Sequence, residues 1–519
     1  MKTLTDWFLL NFRWVFVLFL ALPVCKLWET LNVVARRFKY TEIKQTKELH
    51  AHRVASVVEQ VKGGDLDDEG TGKRKMCTGR AGHESMSLYE GSYKKTMHKI
   101  DLSQLNNILS VNTNIYDTCV RVEPGVTCGE LSRKLLPLGW TLQVLPELEE
   151  LTVGGLVMGF GIETSSHKYG LFQHTCIEFE VVLPSGEVAI CNEKENVDLF
   201  RAIPWSHGTL AFLVSVKVRI VKARKYCKIE YQPFANDASM MAAFDEATRC
   251  PSNDFVECLV YERNESVLIT GIMTDNEPVG APLHRLGSFW APWFYKHAQA
   301  FSHREGEDRR NKYYEYIPLR DYYHRHTKSL FWEMELILPF GNHPLFRYLL
   351  GWLMPPKVSI LKRTTPARLQ RMYETKHVVE DYLLPMERTS DFLALIRREA
   401  AIYPLWLCPY KNVKNSRGDF IDVGNSYDMY VDVGVYGVPK SIIDDANDET
   451  FVHLDFHEKM EAFLRDNEGY KGLYAKTHQT RQEFRAMFNH VKYDQMRLKY
   501  GSFGVFPTIY DKVRNESID

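Results

Sequence analysis

The chain has 519 residues, and at about 150 residues per domain this length predicts two or three domains. Hydrophobic residues make up 45% and charged residues 25% of the chain, which excludes disorder for its bulk. Sixty-five Lys and Arg balance 66 Asp and Glu, so the sequence lacks the basic surplus that binding to nucleic acid requires. Ten scattered cysteines without a CxxC pair argue against zinc ribbons and suit a reducing compartment.

The N-terminal segment is strongly apolar. Residues 7–24 contain only Asn11 and Arg13 as polar residues, and the unbroken apolar run Trp14–Cys25 has twelve residues. A membrane span needs about 20, so the run also fits a signal-peptide core or an interfacial helix. We favour a retained membrane anchor over residues 1–40, because no small-residue cleavage site follows the run.

The charges around this segment predict its orientation. Lys2 and Arg13 lie before the run or at its start, whereas five basic residues follow it, namely Arg36, Arg37, Lys39, Lys44 and Lys47. The positive-inside rule then places the bulk of the chain in the cytoplasm, behind a single membrane-spanning segment. The alternative is a cleaved signal peptide and a lumenal protein.

The first half of the chain reads as alternating short helices and strands. Residues 41–62 are charged and favour helix, and 62–75 read as a surface loop. A strand is predicted over 117–123. Thr127 and Glu130 form a capping box for a helix through Leu136. Strands at 177–183 and 187–191 form a hairpin, and another strand covers 212–221.

The second half is rich in aromatic residues and histidine, with helices predicted over 366–382 and 390–401. Residues 343–356 are apolar but too short to span a membrane. They predict a buried helix, with the mouth of a membrane-facing ligand pocket as the alternative. Residues 226–470 form the predicted second domain, and the charged, helical tail 471–519 is predicted to return to the first.

One stretch points to chemistry. Four glycines lie within eight positions, at Gly154, Gly155, Gly159 and Gly161. Glycine allows positive φ and close approach of the backbone to a ligand, and exposed N–H groups can hold a pyrophosphate. The pattern is neither a Rossmann GxGxxG nor a P-loop. By itself it leaves two alternatives open, a phosphate or flavin loop and a tight structural turn.

A set of further motifs occurs in a fixed order around this stretch. A second glycine loop at 76–83 carries Gly79 and Arg80, and 206–210 carries Gly208. With the hairpin between them, the order resembles the FAD-binding domain of the vanillyl-alcohol oxidase and p-cresol methylhydroxylase family. That resemblance implies an α+β fold: a two-subdomain FAD-binding domain over 45–225 and an α+β substrate-binding cap over 226–470.

The same resemblance implies which residues bind FAD. They are Thr152, Val153, Gly154, Gly155, Leu156, Val157, Met158, Gly159, Phe160, Gly161, Ile162, Glu163 and Thr164, with Gly79, Arg80 and Gly208. For Glu163 and Lys168 ordinary surface charge is a near-equal alternative. His83 lies near the position at which some relatives attach flavin covalently, but we interpret it as a plain loop histidine.

A closer resemblance covers nearly the whole chain. The segments MCTGR (76–80), TVGGL (152–156), KYGLFQH (168–174) and IPLRDYYHRHT (317–327) are similar to the Delta(24)-sterol reductase family. This implies an FAD-containing, NADPH-dependent reductase of the sterol side-chain double bond C24=C25, anchored in the endoplasmic reticulum membrane. The sequence departs from the wider flavin family at Ala211, where glycine is frequent, and no NADPH site is legible in it.

The implied reaction asks for a proton donor, because the double bond is not polarised by a carbonyl. Protonation followed by hydride transfer needs a general acid and aromatic groups that tolerate a cation. We predict Tyr322, Tyr323 and His324 as proton donors, with Tyr474 and His478 as weaker candidates. His324 and His326 could suggest a metal, but no ligand set near them completes a site, and we expect no metal.

Two other functions remain open from the sequence. A flavin-dependent oxidase or dehydrogenase of the same family would act on an alcohol or aldonolactone and ignore NADPH. A sterol-binding membrane protein without turnover would keep the fold alone, although the four glycines argue against it.

Overall fold

A computed structural model describes residues 12–39, 46–64, 74–84, 92–276, 280–302, 313–413, 426–445 and 450–514. Within these ranges the chain forms two large antiparallel sheets, one from each half of the sequence. All ten cysteines are free thiols, and all but Cys250 are buried, as expected for a reducing compartment.

The first half builds a six-stranded sheet with the order β3-β4-β8-β6-β7 and β5 paired to β8. A separate parallel pair, β1 and β2, precedes it. The strands are β1 Met76–Thr78, β2 His98–Ile100, β3 Ile108–Asn112, β4 Cys119–Val122, β5 Trp140–Leu142, β6 Cys176–Val182, β7 Val188–Asn192 and β8 Phe212–Lys222.

The local predictions for this half are confirmed. Thr127 accepts a hydrogen bond from the Glu130 amide, and the Glu130 carboxylate accepts one from the Thr127 amide. This capping box starts helix α3, and β6 and β7 pair as the predicted hairpin. The helices of this half are α2 Thr46–Lys62, α3 Cys128–Leu135, α4 Val153–Met158, α5 Ser166–Tyr169 and α6 Val197–Ala202.

The second half builds an eight-stranded sheet with the order β12-β9-β11-β10-β14-β15-β13-β16. Its strands are β9 Tyr226–Phe234, β10 Phe255–Glu262, β11 Glu265–Thr274, β12 Tyr313–Pro318, β13 Val378–Pro385, β14 Leu405–Lys411, β15 Met429–Gly437 and β16 Tyr470–Lys471. The predicted helix over 366–382 is therefore partly wrong. Residues from Val378 onward form β13, because this segment pairs with β15 along its whole length and its side chains are mostly buried.

The remaining helices follow the start of the second half in sequence. They are α7 Asp237–Arg249, α8 Phe294–Ser302, α9 Leu319–Tyr323, α10 Glu333–Ile337, α11 Pro344–Leu350, α12 Val358–Arg363, α13 Ala367–Lys376, α14 Thr389–Glu399, α15 Lys440–Asp444, α16 His453–Asp466, α17 Arg481–Met487, α18 Val491–Lys499 and α19 Ile509–Val513. The predicted helix over 390–401 is confirmed as α14.

The two faces of the second sheet differ in character, because successive residues of a strand point to opposite sides. On β15, Val431, Val433 and Val435 pack into an apolar core beneath α7, α14 and α16. The alternate residues of the same strand include Asp432 and Tyr436. This second face lies against the first half of the chain, since Tyr430 and Tyr436 belong to the same buried cluster as Val153 and Phe172 of that half.

The C-terminal segment makes contacts with the first half of the chain. The guanidinium of Arg497, on α18, donates to the Thr209 carbonyl at 3.1 Å. The Ser502 hydroxyl donates to the Leu210 carbonyl at 2.7 Å. Residues from the end of the chain therefore border the loop that contains Gly208.

The N-terminal helix α1 runs through Arg13–Phe16, a π-helical segment Val17–Ala21 and Leu22–Lys39. Its part Arg13–Leu31 is long and apolar enough to cross a membrane, with a mean hydropathy of 1.7. One face nevertheless packs on the body: the Lys357 amide donates to the Cys25 thiol at 3.2 Å. The opposite face is exposed and carries Phe19, Leu20, Val24, Leu27, Trp28 and Leu31.

The segment 343–356 differs from its predicted burial. Helix α11 leaves Leu345 and Leu349 exposed at 63% and 62%, together with Tyr348 and, just beyond the helix, Trp352. Only Phe346 of this helix is buried. The sequence prediction of a buried helix is wrong because a single apolar side chain per turn faces the body.

Candidate functional site

The glycine-rich stretch is only partly a loop. Residues Val153–Met158 form helix α4, and an irregular segment from Gly159 to Ser165 leads into α5. The prediction of one open loop over 152–164 is therefore corrected, because the two first glycines lie inside a short helix. The turn that follows α4 begins at Gly159, whose φ and ψ are −96° and −110°.

The four glycines serve two purposes. A Cβ on Gly154 would lie 2.7 Å from the Pro124 Cβ, and a Cβ on Gly161 would lie 2.8 Å from a Leu156 methyl. These two positions need glycine for close packing. Gly155 is exposed, and a Cβ there would meet only the Thr152 hydroxyl, at 3.2 Å. Gly155 therefore borders open space, as a cofactor-facing position requires.

The second glycine loop lies beside the first. The Arg80 guanidinium donates to the Thr152 hydroxyl at 3.2 Å, and to the Glu84 carbonyl at 2.6 Å. The Lys94 ammonium donates to the Arg80 carbonyl at 2.6 Å. The fold thus brings two of the predicted residues, Arg80 and Thr152, into contact and places a second cation, Lys94, beside them.

A further cation reaches this region from the end of the chain. The Lys512 ammonium on α19 donates to the His207 carbonyl, and it lies 5.3 Å from the centre of the Tyr93 ring. Gly208 follows with φ at +65°, the left-handed conformation that favours glycine. The loop 206–208 is therefore tied to the C-terminal helix α19 through the contact of Lys512 with the His207 carbonyl.

The two lysines, Lys94 and Lys512, lie where a bound anion would stabilise their charged forms. Burial lowers the pKa of Lys512 to about 7, with the charge of Lys94 as the next cause. Burial also lowers the pKa of Lys94. Within the described ranges, neither ammonium has a carboxylate within 4.0 Å. An anion bound between them would remove this cost, so this pair of lysines suits a negatively charged group such as a diphosphate.

Aromatic rings form the next part of the site. Phe160 stacks on Trp205 at 5.6 Å between ring centres and on Tyr474 at 6.2 Å. Tyr474 belongs to the C-terminal segment, so the tail contributes to the site as well as to the fold. Its hydroxyl hydrogen-bonds the Asp381 carboxyl group of β13.

Three carboxyl groups lie where the second sheet meets the glycine segment. They belong to Asp381, Asp432 and Glu147, and all three side chains are buried. Asp381 accepts from the Tyr436 hydroxyl. Neither oxygen of Asp432 has a hydrogen-bond partner among the residues that the structure describes. Buried oxygens of this kind are satisfied by a water molecule, by a ligand or by a proton on the carboxyl group itself.

Two of these groups, Asp432 and Glu147, are held in their neutral form, whereas Asp381 titrates near neutral pH. Burial raises the pKa of Asp432 well above its ordinary value, and the charges of Asp381 and Glu147 raise it further. Burial raises the pKa of Asp381 to about 7. Burial, with the charge of Glu163 next, raises the pKa of Glu147. The site therefore stores protons on carboxylic acids at neutral pH.

A buried arginine joins the two halves. The Arg325 guanidinium donates two hydrogen bonds of 2.9 Å to the Glu257 carboxylate and one of 2.9 Å to Glu163. Glu163 is fully buried, so the alternative of ordinary surface charge is wrong for this residue. Lys168 is half-buried and pairs with Asp254 at 2.8 Å. Both predicted loop residues thus bind the second half of the chain rather than solvent.

The predicted proton donors lie nearby, but their polar atoms are engaged. The Tyr322 hydroxyl lies 3.3 Å from the Thr164 hydroxyl, and the Tyr323 hydroxyl accepts from Thr141 at 3.1 Å. The His324 ring nitrogens contact the Ser132 hydroxyl at 2.7 Å and the Glu147 carbonyl at 3.3 Å. Burial lowers the pKa of His324 to about 4, so this ring is neutral and carries no acidic proton at pH 7.

The other predicted residues are placed as follows. His478 stacks on His457 at 4.6 Å and lies away from the glycine segment, on the side of α16. The residues that sequence reasoning missed are Asp432, Asp381 and Lys512. A signal existed for the first two: an aspartate interrupts each of the apolar strands β13 and β15, VVEDYLLP and MYVDVGVYG.

Comparisons with known proteins agree with this arrangement. A family model described as an FAD binding domain matches residues 78–192. The chain is 42% identical over 510 residues to the Delta(24)-sterol reductase of Homo sapiens, covering 98% of this chain and 94% of that protein. It is 37% identical to a Delta(24)-sterol reductase homolog of Caenorhabditis elegans, with 98% and 95% covered. It is also 37% identical to the Delta(24)-sterol reductase of Arabidopsis thaliana, with 98% and 93% covered.

Proposed function

The chain belongs to the Delta(24)-sterol reductase family, and from this premise we propose that it reduces the side-chain double bond of a sterol. FAD is its bound cofactor, and NADPH is the electron donor. The observation that carries the proposal is the group of buried carboxyl groups with raised pKa values at Asp432, Asp381 and Glu147, together with a group of cations that suits FAD. An unpolarised double bond needs such an acid before it accepts a hydride.

The residues present fit FAD. The diphosphate of FAD suits a group of three cations, Arg80, Lys94 and Lys512. Neither lysine ammonium pairs with a carboxylate of the described residues. Gly155 gives the backbone close access to the cofactor. When bound, FAD supplies the hydride for the reduction.

The protein's own task is to deliver a proton. We infer that Asp432 is the general acid, because its carboxyl group is neutral, buried and not bonded to another described residue. Asp381 positions and tunes it, since its own carboxyl is fixed by Tyr436 and Tyr474. We assign a positioning role to Tyr322, Tyr323 and His324, because their polar atoms already form hydrogen bonds within the protein.

Aromatic side chains share the face of the second sheet that carries Asp432. Tyr410, Tyr430 and Tyr470 are buried there, and the Tyr410 and Tyr470 hydroxyls lie 2.6 Å apart. Protonation of the double bond at its less substituted carbon leaves positive charge on the tertiary carbon. Ring faces stabilise such a cation and also provide the apolar area that a sterol buries.

Membrane attachment belongs to the same proposal. The exposed stripe of α1 and the exposed side chains of α11 offer apolar and aromatic groups that suit the interface of a bilayer. Because one face of α1 is buried against the rest of the chain, we infer that this helix stays packed on it. The endoplasmic reticulum, and a body on the cytoplasmic side of a single segment, follow from the family and from the basic residues after the run.

The function is tested by anaerobic absorbance of the detergent-purified protein, to which NADPH and then a Δ24 sterol are added. Loss of the flavin absorbance with NADPH and its return with the sterol would support the reductase. Flavin that an alcohol reduces but NADPH does not would instead identify an oxidase or dehydrogenase. Absence of flavin after addition of FAD would leave a sterol-binding protein without turnover.

Substitution of Lys512 tests the cofactor site. Lys512→Met should weaken FAD binding about 10- to 100-fold, because a charge-assisted hydrogen bond to phosphate contributes roughly 1.5–3 kcal/mol. Lys512→Arg should retain most of the affinity. The measurement is a flavin titration of the apoprotein, with Lys499→Met as control, since Lys499 is exposed and pairs with Asp198. An unchanged Kd for Lys512→Met would remove the lysine from the site.

A further inference from the structure

A second cluster of ligand-type side chains lies at the far edge of the second sheet. Glu315 is on the edge strand β12, and His297 is on helix α8, which packs against β9 and β11. His284 is held beside β12, because its amide donates to the Tyr316 carbonyl at 2.8 Å. The three residues thus come from three separate segments that meet at one point, away from the carboxylic acids of the flavin site.

Their donor atoms form a small triangle. His284 Nδ1 lies 3.1 Å from His297 Nε2 and 3.2 Å from Glu315 Oε2. His297 Nε2 lies 3.0 Å from Glu315 Oε1 and 3.1 Å from Oε2. Ligand atoms on one tetrahedral zinc ion are roughly 3.3 Å apart, since bonds of about 2.0–2.1 Å meet near the tetrahedral angle. The triangle is therefore close to the size that a single ion requires.

Hydrogen bonding alone satisfies this triangle poorly. Each of the two ring nitrogens carries at most one proton, and the carboxylate is the natural acceptor for both. The 3.1 Å contact between the nitrogens would then bring two N–H donors face to face. If one nitrogen lacks its proton, it lies within 3.2 Å of the carboxylate with no hydrogen between them. One cation at the centre satisfies all three contacts at once.

The surroundings support ligation. The Tyr231 hydroxyl donates to Glu315 Oε1 at 2.6 Å, the kind of outer hydrogen bond that orients a ligating carboxylate. The Glu315 side chain is 6% exposed, whereas those of His284 and His297 are 20% and 19% exposed. An ion could thus enter from solvent on the histidine side, where a water molecule can complete a four-coordinate site.

A second histidine cluster in the described ranges is less suited to a metal. His457 stacks on His478 with an angle of 18° between the rings, a geometry that aims their nitrogens along parallel planes. Burial lowers the pKa of His457, and the charges of His453 and of the buried Lys471 ammonium lower it further. A positive charge would oppose a cation there, and this cluster serves as a control.

We propose that His284, His297 and Glu315 bind one divalent transition-metal ion, with zinc as the best match to two imidazoles and a carboxylate. The ion would fasten the segment before α8 to the edge strand β12 and would close that edge of the sheet. This replaces the expectation of no metal, which rested on short ligand spacings. Here the ligands are 13 and 18 residues apart and meet only through the fold.

The experiment is metal analysis of the full-length, FAD-loaded protein after incubation with Zn²⁺ and removal of excess ion by dialysis. We expect about one zinc per chain in the wild type. His297→Ala and Glu315→Gln should bind at least tenfold more weakly, because loss of one protein ligand weakens a zinc site strongly. His457→Ala should retain the ion.

Retained FAD in each variant shows that the chain has folded, so loss of zinc can be assigned to loss of the ligand. Cobalt(II) gives a second readout, since visible absorbance of the wild type with Co²⁺ should disappear in Glu315→Gln. Three results would overturn the proposal: no zinc in the wild type, equal zinc in the wild type and both ligand variants, or loss of zinc only in His457→Ala.

Discussion

Replacing Asp432 by asparagine should lower kcat for the sterol about 10²- to 10⁴-fold, the usual contribution of a positioned general acid. Asparagine keeps the size of the side chain but has no acidic proton. Because Asp432 makes no hydrogen bond to a described residue, the change should leave the fold and the bound FAD intact. Steady-state turnover and the flavin absorbance are the two measurements.

The separate half-reactions locate the effect. Reduction of the flavin by NADPH should proceed at the wild-type rate in Asp432→Asn, because no proton for the sterol is needed there. Reoxidation by the sterol should be slow. Asp444→Asn is the matched control, since Asp444 is an exposed aspartate at the end of α15. Equal rates of reoxidation in wild type and Asp432→Asn would exclude Asp432 as the donor.

The pH dependence of kcat distinguishes a proton donor from a residue with only a structural role. A proton donor must be protonated, so kcat should fall at alkaline pH as Asp432 ionises. The negative charge of Asp381, which titrates near pH 7, raises the pKa of Asp432. Asp381→Asn removes that charge, so the alkaline limb should move to lower pH. An alkaline limb at the same pH in Asp381→Asn would contradict the coupling of the two groups.

Much of the cofactor half could be predicted from the sequence, because its signals are local. The capping box at Thr127 and the hairpin of β6 and β7 depend on residues that are neighbours in the chain. The order of the glycine motifs predicted two residues, Arg80 and Thr152, that the fold brings into contact. What local patterns did not predict is that Gly154 and Gly161 serve close packing and that α4 is helical.

The proposed acid, Asp432, could not be located in this way. The high density of aromatic residues and histidines led to the prediction of Tyr322, Tyr323 and His324 as proton donors. The same density is also typical of a buried core. Asp432 becomes conspicuous only when β15 is placed in the sheet and alternate residues face the first half of the chain. Lys512 reaches the His207 carbonyl from the other end of the chain. Both placements depend on contacts between segments far apart in sequence.

The buried arginine that joins the two halves carries the largest expected effect on stability. Arg325→Met should lower the free energy of unfolding by about 3–5 kcal/mol, because the variant leaves buried carboxylates without their cation. Glu257 is the more affected: Arg325 is the main cause that holds the pKa of this fully buried carboxyl down, near 2, against burial. Glu163, the other partner, would lose its fixed orientation and with it the end of the glycine segment.

The measurement is the midpoint of thermal or urea denaturation, compared with Arg320→Met. Arg320 also pairs with a glutamate, Glu149, but its side chain is 35% exposed, and loss of such a pair costs about 1 kcal/mol or less. Arg325→Met combined with Glu257→Gln should recover part of the loss, because glutamine leaves no charge to be buried. FAD affinity should fall in Arg325→Met and not in Arg320→Met. Equal destabilisation in the two single variants would show that the buried network does not hold the halves together.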